Sequence, residues 1–141
     1  MRSPPLAALC LLAFATPVAA NPFERVAPVA DPLVRKECGE CHMAFQPGLL
    51  PTGSWSRIMA TLSDHFGDRA TLPPDQVKAI AAYLTANAGG GDPMVTRITG
   101  QSWWQREHRL PAAEWSRPTV KSKSNCAACH AGAEAGLYED D

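Results

Sequence analysis

Two stretches of this chain repeat one frame: Cys38-Gly39-Glu40-Cys41-His42 and Cys126-Ala127-Ala128-Cys129-His130, each a C-x-x-C-H. Two thiols about one helical turn apart can each add S–H across a vinyl group of the same porphyrin, forming two thioethers. The histidine that follows then lies where it can bind the iron as proximal ligand. At this chain's own cysteine and histidine frequencies one such match arises by chance roughly once in two hundred sequences, and a pair far more rarely. The pattern predicts two covalently attached haem c groups, with Cys38 and Cys41 on one, Cys126 and Cys129 on the other, and His42 and His130 as proximal ligands.

Three other chemistries use paired cysteines. A zinc site built from two C-x-x-C pairs has no use for a histidine directly after each pair. Redox-active dithiols of the thioredoxin kind sit in a βαβ context that this sequence lacks. Structural disulfides suit an exported chain but again leave the doubled histidine unexplained.

The other histidines carry equal information. The chain has four in all, so His65 and His108 remain for two sixth coordination positions. His65 lies 23 residues after His42, and His108 lies 22 before His130, room for a helix and a turn to bring each ligand to the distal face. The spacing allows either histidine on either iron. Methionine is the competing ligand type. Met43 adjoins a proximal histidine, Met59 reads as core, and Met94, in the Gly-rich connection, is the rival worth weighing.

The elements that must position these groups follow from pattern. Asp31-Pro32 is a helix start, N-cap then N1, leading through Leu33 and Val34 into the first motif. From Ser54 to Phe66, with Ser54 as N-cap, Trp55, Ile58, Met59, Leu62 and Phe66 keep helical spacing and His65 falls on the same stripe. Pro73-Pro74-Asp75 opens a helix with Val77, Ile80, Ala81 and Leu84 on one face, closed by Gly89-Gly90-Gly91. Ser102 to His108 reads as a short helix stopped by Pro111, with Trp104 one turn before His108 on the same face. The stretch Pro111 to Asn125 reads as a loop, and the four tryptophans, Trp55, Trp103, Trp104 and Trp115, as packing groups.

Composition narrows the class. The chain has 141 residues, 45% of them hydrophobic, with 13 Lys+Arg against 14 Asp+Glu, and this near-neutral balance excludes a nucleic-acid footprint. Thirteen prolines and ten glycines argue against one long bundle, and 7% aromatics against an all-β sandwich. Arg2, the apolar run Leu6 to Val18 and the small residues Val18-Ala19-Ala20 read as a signal peptide, residues 1–20, cleaved after Ala20. Cys10 follows Leu9 inside the apolar run, which speaks against a lipoprotein. Cleavage would leave 121 residues, four cysteines and a net charge of −2. We expect a soluble periplasmic monomer, mainly α, with an N-terminal haem domain over 21–91 and a small loop-rich C-terminal haem domain over 92–141 whose core is largely its haem.

The run from Cys38 through His42-Met43-Ala44-Phe45-Gln46-Pro47-Gly48-Leu49-Leu50-Pro51 continues into Ser54-Trp55, Met59-Ala60-Thr61-Leu62 and Asp64-His65-Phe66-Gly67-Asp68. With Tyr83-Leu84, Arg97-Ile98, His108 and Ser124-Asn125-Cys126-Ala127-Ala128-Cys129-His130, it resembles the bacterial dihaem cytochrome c (DHC) family over nearly all of the chain after its leader. The resemblance implies a class I cytochrome c-like N-terminal haem domain and a smaller C-terminal one, both low-spin and bis-histidine. It also implies a low-potential electron carrier linked to a membrane cytochrome b and serving a small oxygen-binding monohaem cytochrome c. Two imidazoles on each iron leave no open position, so the expected role is electron transfer and not catalysis. The reading from another class is a small dihaem peroxidase or ligand-binding haem sensor with one open iron site.

Overall fold

The computed structural model describes residues 24–139; the expected signal peptide lies outside them. The described residues form five short α-helices: α1 (Pro32–Cys38), α2 (Thr52–Ala60), α3 (Pro74–Ala86), α4 (Ser102–Glu107) and α5 (Ala112–Trp115), with 3₁₀ turns between the first four and after the last. Among the described residues there is no strand, only two isolated antiparallel bridges, Arg25 with Leu137 and His65 with Asp68. No helix among them is long and apolar enough to cross a membrane.

The start of α1 is the one expected. Asp31 caps it, its carboxylate accepting from Leu33 N at 2.8 Å and Val34 N at 3.1 Å, and Pro32 occupies N1 without wasting a donor. The helix runs straight into the first C-x-x-C-H and ends at Cys38. α3 begins at Pro74 and lays Ile80 and Leu84 into the core, with Val77 and Ala81 packed beside them, again as the stripe requires.

α2 departs from the expectation. It starts two residues before Ser54 and stops at Ala60, so neither Leu62 nor His65 is on it. The Thr61 hydroxyl bonds back to the Arg57 carbonyl at 2.9 Å, and the chain tightens into a 3₁₀ turn over Leu62–Asp64. Asp64 then accepts from Gly67 N at 3.0 Å, with Phe66 (φ 59°) and Gly67 (φ 105°) both left-handed. Ser54 is not a cap. It is fully buried inside α2, and its hydroxyl donates to Val95 O at 2.7 Å and Asp92 O at 3.2 Å. Gln101, also fully buried, bonds the same segment three times, through Asp92 N, Asp92 O and Val95 O. The Gly-rich connection is thereby fixed from both sides. A further difference is α5, a helical turn within the stretch read as loop; its end is closed by Ser116, whose hydroxyl bonds Ala112 O at 3.0 Å.

Two apolar clusters form the core. The first holds Val29, Val34, Leu50, Trp55, Ile58, Met59, Ile80 and Leu84. The second has only three buried residues, Leu49, Trp103 and Trp104. Phe45 and Ile98 pack against both. The termini of the described chain meet there too: Val26 N donates to Gly136 O at 2.8 Å and Tyr138 N to Glu24 O at 2.8 Å. Gly136 is left-handed (φ 78°), and a Cβ on it would collide with the Val26 carbonyl.

A buried polar contact ties the two parts. Gln46 is fully buried; its amide donates to Ala133 O at 2.8 Å and Glu134 O at 3.2 Å and accepts from the Tyr138 hydroxyl at 2.5 Å. Burial and the neighbouring Cys126 push the Tyr138 phenol up, so it remains a donor. Gln46→Ala should therefore cost about 2 kcal/mol, because it strands buried partners, and lower Tm by roughly 8 °C, read by thermal unfolding of the holoprotein.

Candidate haem sites

The first C-x-x-C-H emerges from the end of α1 and faces a cleft of about 670 Å³, within the range of small-molecule and cofactor sites. Cys38, Cys41, His42 and His65 line it, with Leu50, Ile58, Met59, Leu72, Ile80 and Leu84 as its apolar walls. Much of the first core is thus packed around the cleft. His42 and His65 face each other with ring centres 6.2 Å apart. Two metal–imidazole bonds of about 2 Å each, plus about 1 Å from each nitrogen to its ring centre, place two rings on one metal about 6 Å apart.

The second C-x-x-C-H lies on a 3₁₀ turn, Cys126–Ala128, and faces a cleft of about 340 Å³ lined by Cys126, Cys129, His130, His108, Trp115 and Tyr138. His108, at the C-cap of α4, faces His130 with ring centres 6.1 Å apart. The fold brings His65 beside His42 and His108 beside His130, the uncrossed one of the two arrangements that the spacing allows.

Ring orientation suits a metal. His42 Nδ1 lies 2.7 Å from the Met43 carbonyl and His108 Nδ1 2.9 Å from the Trp104 carbonyl. Each carbonyl holds the proton on Nδ1, which leaves the Nε2 lone pair free to ligate. His130 Nδ1 is buried with no hydrogen-bond partner among the described residues, so no hydrogen bond there selects its tautomer. Burial, then the nearby His42, lower the pKa of His65 and so favour the neutral ring that binds iron. Burial raises Cys38, with Glu37 adding to it, and raises Cys126. Both shifts favour the protonated thiol over a reactive thiolate. Among the described residues there is no group of three or more His, Cys, Asp or Glu that could hold a metal ion.

Several residues at these sites had no role assigned to them by the sequence. Phe45 stacks on His42 at 4.9 Å, and Arg97 lies 4.2 Å over the Phe66 ring beside His65. Arg69, Arg97 and Lys123 line the first cleft and put positive charge where porphyrin carboxylates could be met. Gln46 and Tyr138 are separated by 92 residues, and no local pattern links them. Met94 is 65% exposed, lies outside both clefts and accepts from Arg57 Nη2 at 2.9 Å.

A mainly helical chain that sets two C-x-x-C-H motifs against two clefts, each facing a second histidine, is a dihaem c-type cytochrome, with two covalently bound haem c groups. The family model described as dihaem cytochrome c matches residues 34–138, and the chain belongs to that family. The diheme cytochrome c from Rhodobacter sphaeroides is similar to it at 40% identity, with a TM-score of 0.72, over 79% of this chain and 99% of that one. A second structure, of DHC purified from Rhodobacter sphaeroides, matches at 44% identity and TM-score 0.67, over 78% and 98%. The diheme cytochrome type c from Shewanella baltica OS155 matches at 37% identity and TM-score 0.70, over 77% and 86%. No curated protein matches the sequence. A dihaem c-type cytochrome transfers electrons, and that is the general function of this chain.

Proposed function

We propose that the protein is a low-potential electron carrier of the periplasm, exported by residues 1–20, with both irons bis-histidine. Cys38, Cys41 and the pair His42/His65 would hold the first haem; Cys126, Cys129 and the pair His130/His108 the second. The observation that carries this reading is the spacing of the two histidine pairs, 6.2 and 6.1 Å between ring centres, which suits one iron between each. Bound there, haem supplies reversible one-electron storage.

The chain's own residues do the rest. With two imidazoles held at each site, no position would be left on the metal for water, oxygen or peroxide. The carbonyls of Met43 and Trp104 fix the ligating tautomer of His42 and His108. Imidazole in place of thioether favours the ferric state, and each 59 mV by which it lowers a one-electron potential is about tenfold in equilibrium. Such a carrier can reduce acceptors beyond a His/Met cytochrome. By the family resemblance, a membrane cytochrome b is the donor and a small oxygen-binding monohaem cytochrome c the acceptor.

An optical redox titration of the holoprotein, with and without carbon monoxide, tests the reading. Two low-spin haems, no far-red methionine band and no carbon monoxide adduct are expected. A high-spin fraction or a rapidly formed adduct would replace the carrier with an enzyme or sensor having one open site.

A further inference from the structure

Among the side chains that line both sites, one is a large aromatic. Trp104 is buried and lines the first cleft as well as the second, where Ile98, Cys126 and Lys123 also form a shared wall. Its indole lies against the His108 imidazole with ring centres 4.2 Å apart and planes within 8° of parallel. Its carbonyl meets the same imidazole at Nδ1, 2.9 Å away. One residue therefore grips His108 twice, by the edge through the backbone and by the face through the side chain.

The other three histidines are held differently. His42 stacks on Phe45 at 4.9 Å and 28°, and Phe45 itself packs against both clusters. His65 meets Phe66 at 59°, in a turn, and His130 meets Tyr138 at 74°. Only at His108, among these contacts, is a ring clamped flat on a buried aromatic. Trp115 lies beside both rings, 5.6 Å from the indole and 6.2 Å from the imidazole, and the indole is packed with Leu49 and Trp103, so it cannot swing to follow the imidazole. The need is physical. His108 stands at the C-cap of a six-residue helix, and a single bond from Nδ1 to a carbonyl sets the direction of the ring edge but not the plane of the ring.

We propose that the Trp104 indole is the positioning residue of the second haem: it sets the plane of the His108 imidazole and keeps that ring within ligating reach of the metal. This rests on the ligand assignment of His108 made above. The stack is worth more than the area it buries, because aligned aromatic pairs add to burial and because a ligand fixed before binding loses less entropy on binding.

The test uses the holoprotein with both haems attached, and reads low-spin electron paramagnetic resonance together with carbon monoxide binding. Trp104→Leu removes the ring; we expect the signal of one haem of the two to shift and up to one equivalent of carbon monoxide to bind, where the wild type binds none. Trp104→Phe keeps a ring to stack on and should retain the wild-type signals and bind no carbon monoxide. Both signals unchanged in Trp104→Leu, or both haems perturbed alike, would overturn the proposal. So would a Phe variant as perturbed as the Leu variant. If Leu prevents attachment of the second haem, Trp104→Met, which fills space without a ring, takes its place. Failure of Leu and Met with success of Phe supports the role, and failure of all three reduces Trp104 to packing. His108→Ala separates the two ideas. If it binds no carbon monoxide, the ligand assignment falls and the proposal with it; if it binds one equivalent while Trp104→Leu binds none, only the positioning role falls.

Discussion

His65→Ala should leave the first haem covalently attached and give it an open sixth position, so that the variant binds one equivalent of carbon monoxide where the wild type binds none. The attachment and the proximal side do not involve His65: Cys38, Cys41 and His42 lie on and just after α1, and His42 is held through Nδ1 to the Met43 carbonyl. The turn carrying His65 is held by backbone and by Asp64. His65 N donates to Asp68 O at 2.7 Å, Asp68 N returns a bond to His65 O at 3.2 Å, and Asp64 accepts from Gly67 N at 3.0 Å. Truncating a half-buried imidazole there removes a ligand without emptying the core. Loss of a neutral strong-field donor should also raise the potential of that haem by about 59 mV or more, tenfold in equilibrium. Optical spectra with and without carbon monoxide, and a redox titration resolving the two haems, measure both effects. Spectra identical to wild type would show that His65 is not a ligand.

The double variant Cys126→Ala, Cys129→Ala should lose more than a cofactor. With one haem per chain, we expect the part of the protein after residue 102 to lose its fixed structure while the first site keeps its spectrum. The second cluster has three buried residues against eight in the first, and its helices, α4 and α5, are six and four residues long. So small a core cannot offset the backbone entropy of ordering that segment. The polar contacts at Gln46 and the pairing of Glu24 and Val26 with Gly136 and Tyr138 add a few bonds of about 1 kcal/mol each, not enough to substitute for a buried porphyrin. Limited proteolysis should cut between Leu110 and Asn125 at least ten times faster than in the wild type, and amide exchange there should approach that of an open chain. Protection equal to the wild type would mean that protein packing alone holds this part.

The chemistry of this protein is written in its sequence because c-type haem attachment is local. Two thiols and an imidazole must fall within five consecutive residues, so the motif survives translation into any surrounding structure. The capped start of α1 and the face of α3 were legible for the same reason, since a cap or an amphipathic stripe is decided within a turn or two of helix. Where helical periodicity was extended from Ser54 to Phe66 it failed. Spacing alone does not register that Thr61 bonds back to the helix or that Asp64 closes a turn, and those local polar bonds competed successfully with continuation.

What the tertiary structure decided is which histidines come together. A count of four histidines limits how many can serve as ligands, but which rings come together depends on how the turn after α2 and the end of α4 are packed, a matter of contacts between residues far apart in the chain. The same holds for Gln46 with Tyr138, for the meeting of the described termini at Glu24 and Tyr138, and for Trp104 as a wall common to both clefts. Covalent attachment and capping are short-range and can be read residue by residue; ligand pairing and ring orientation are set by long-range packing, which a linear pattern does not encode in any one place.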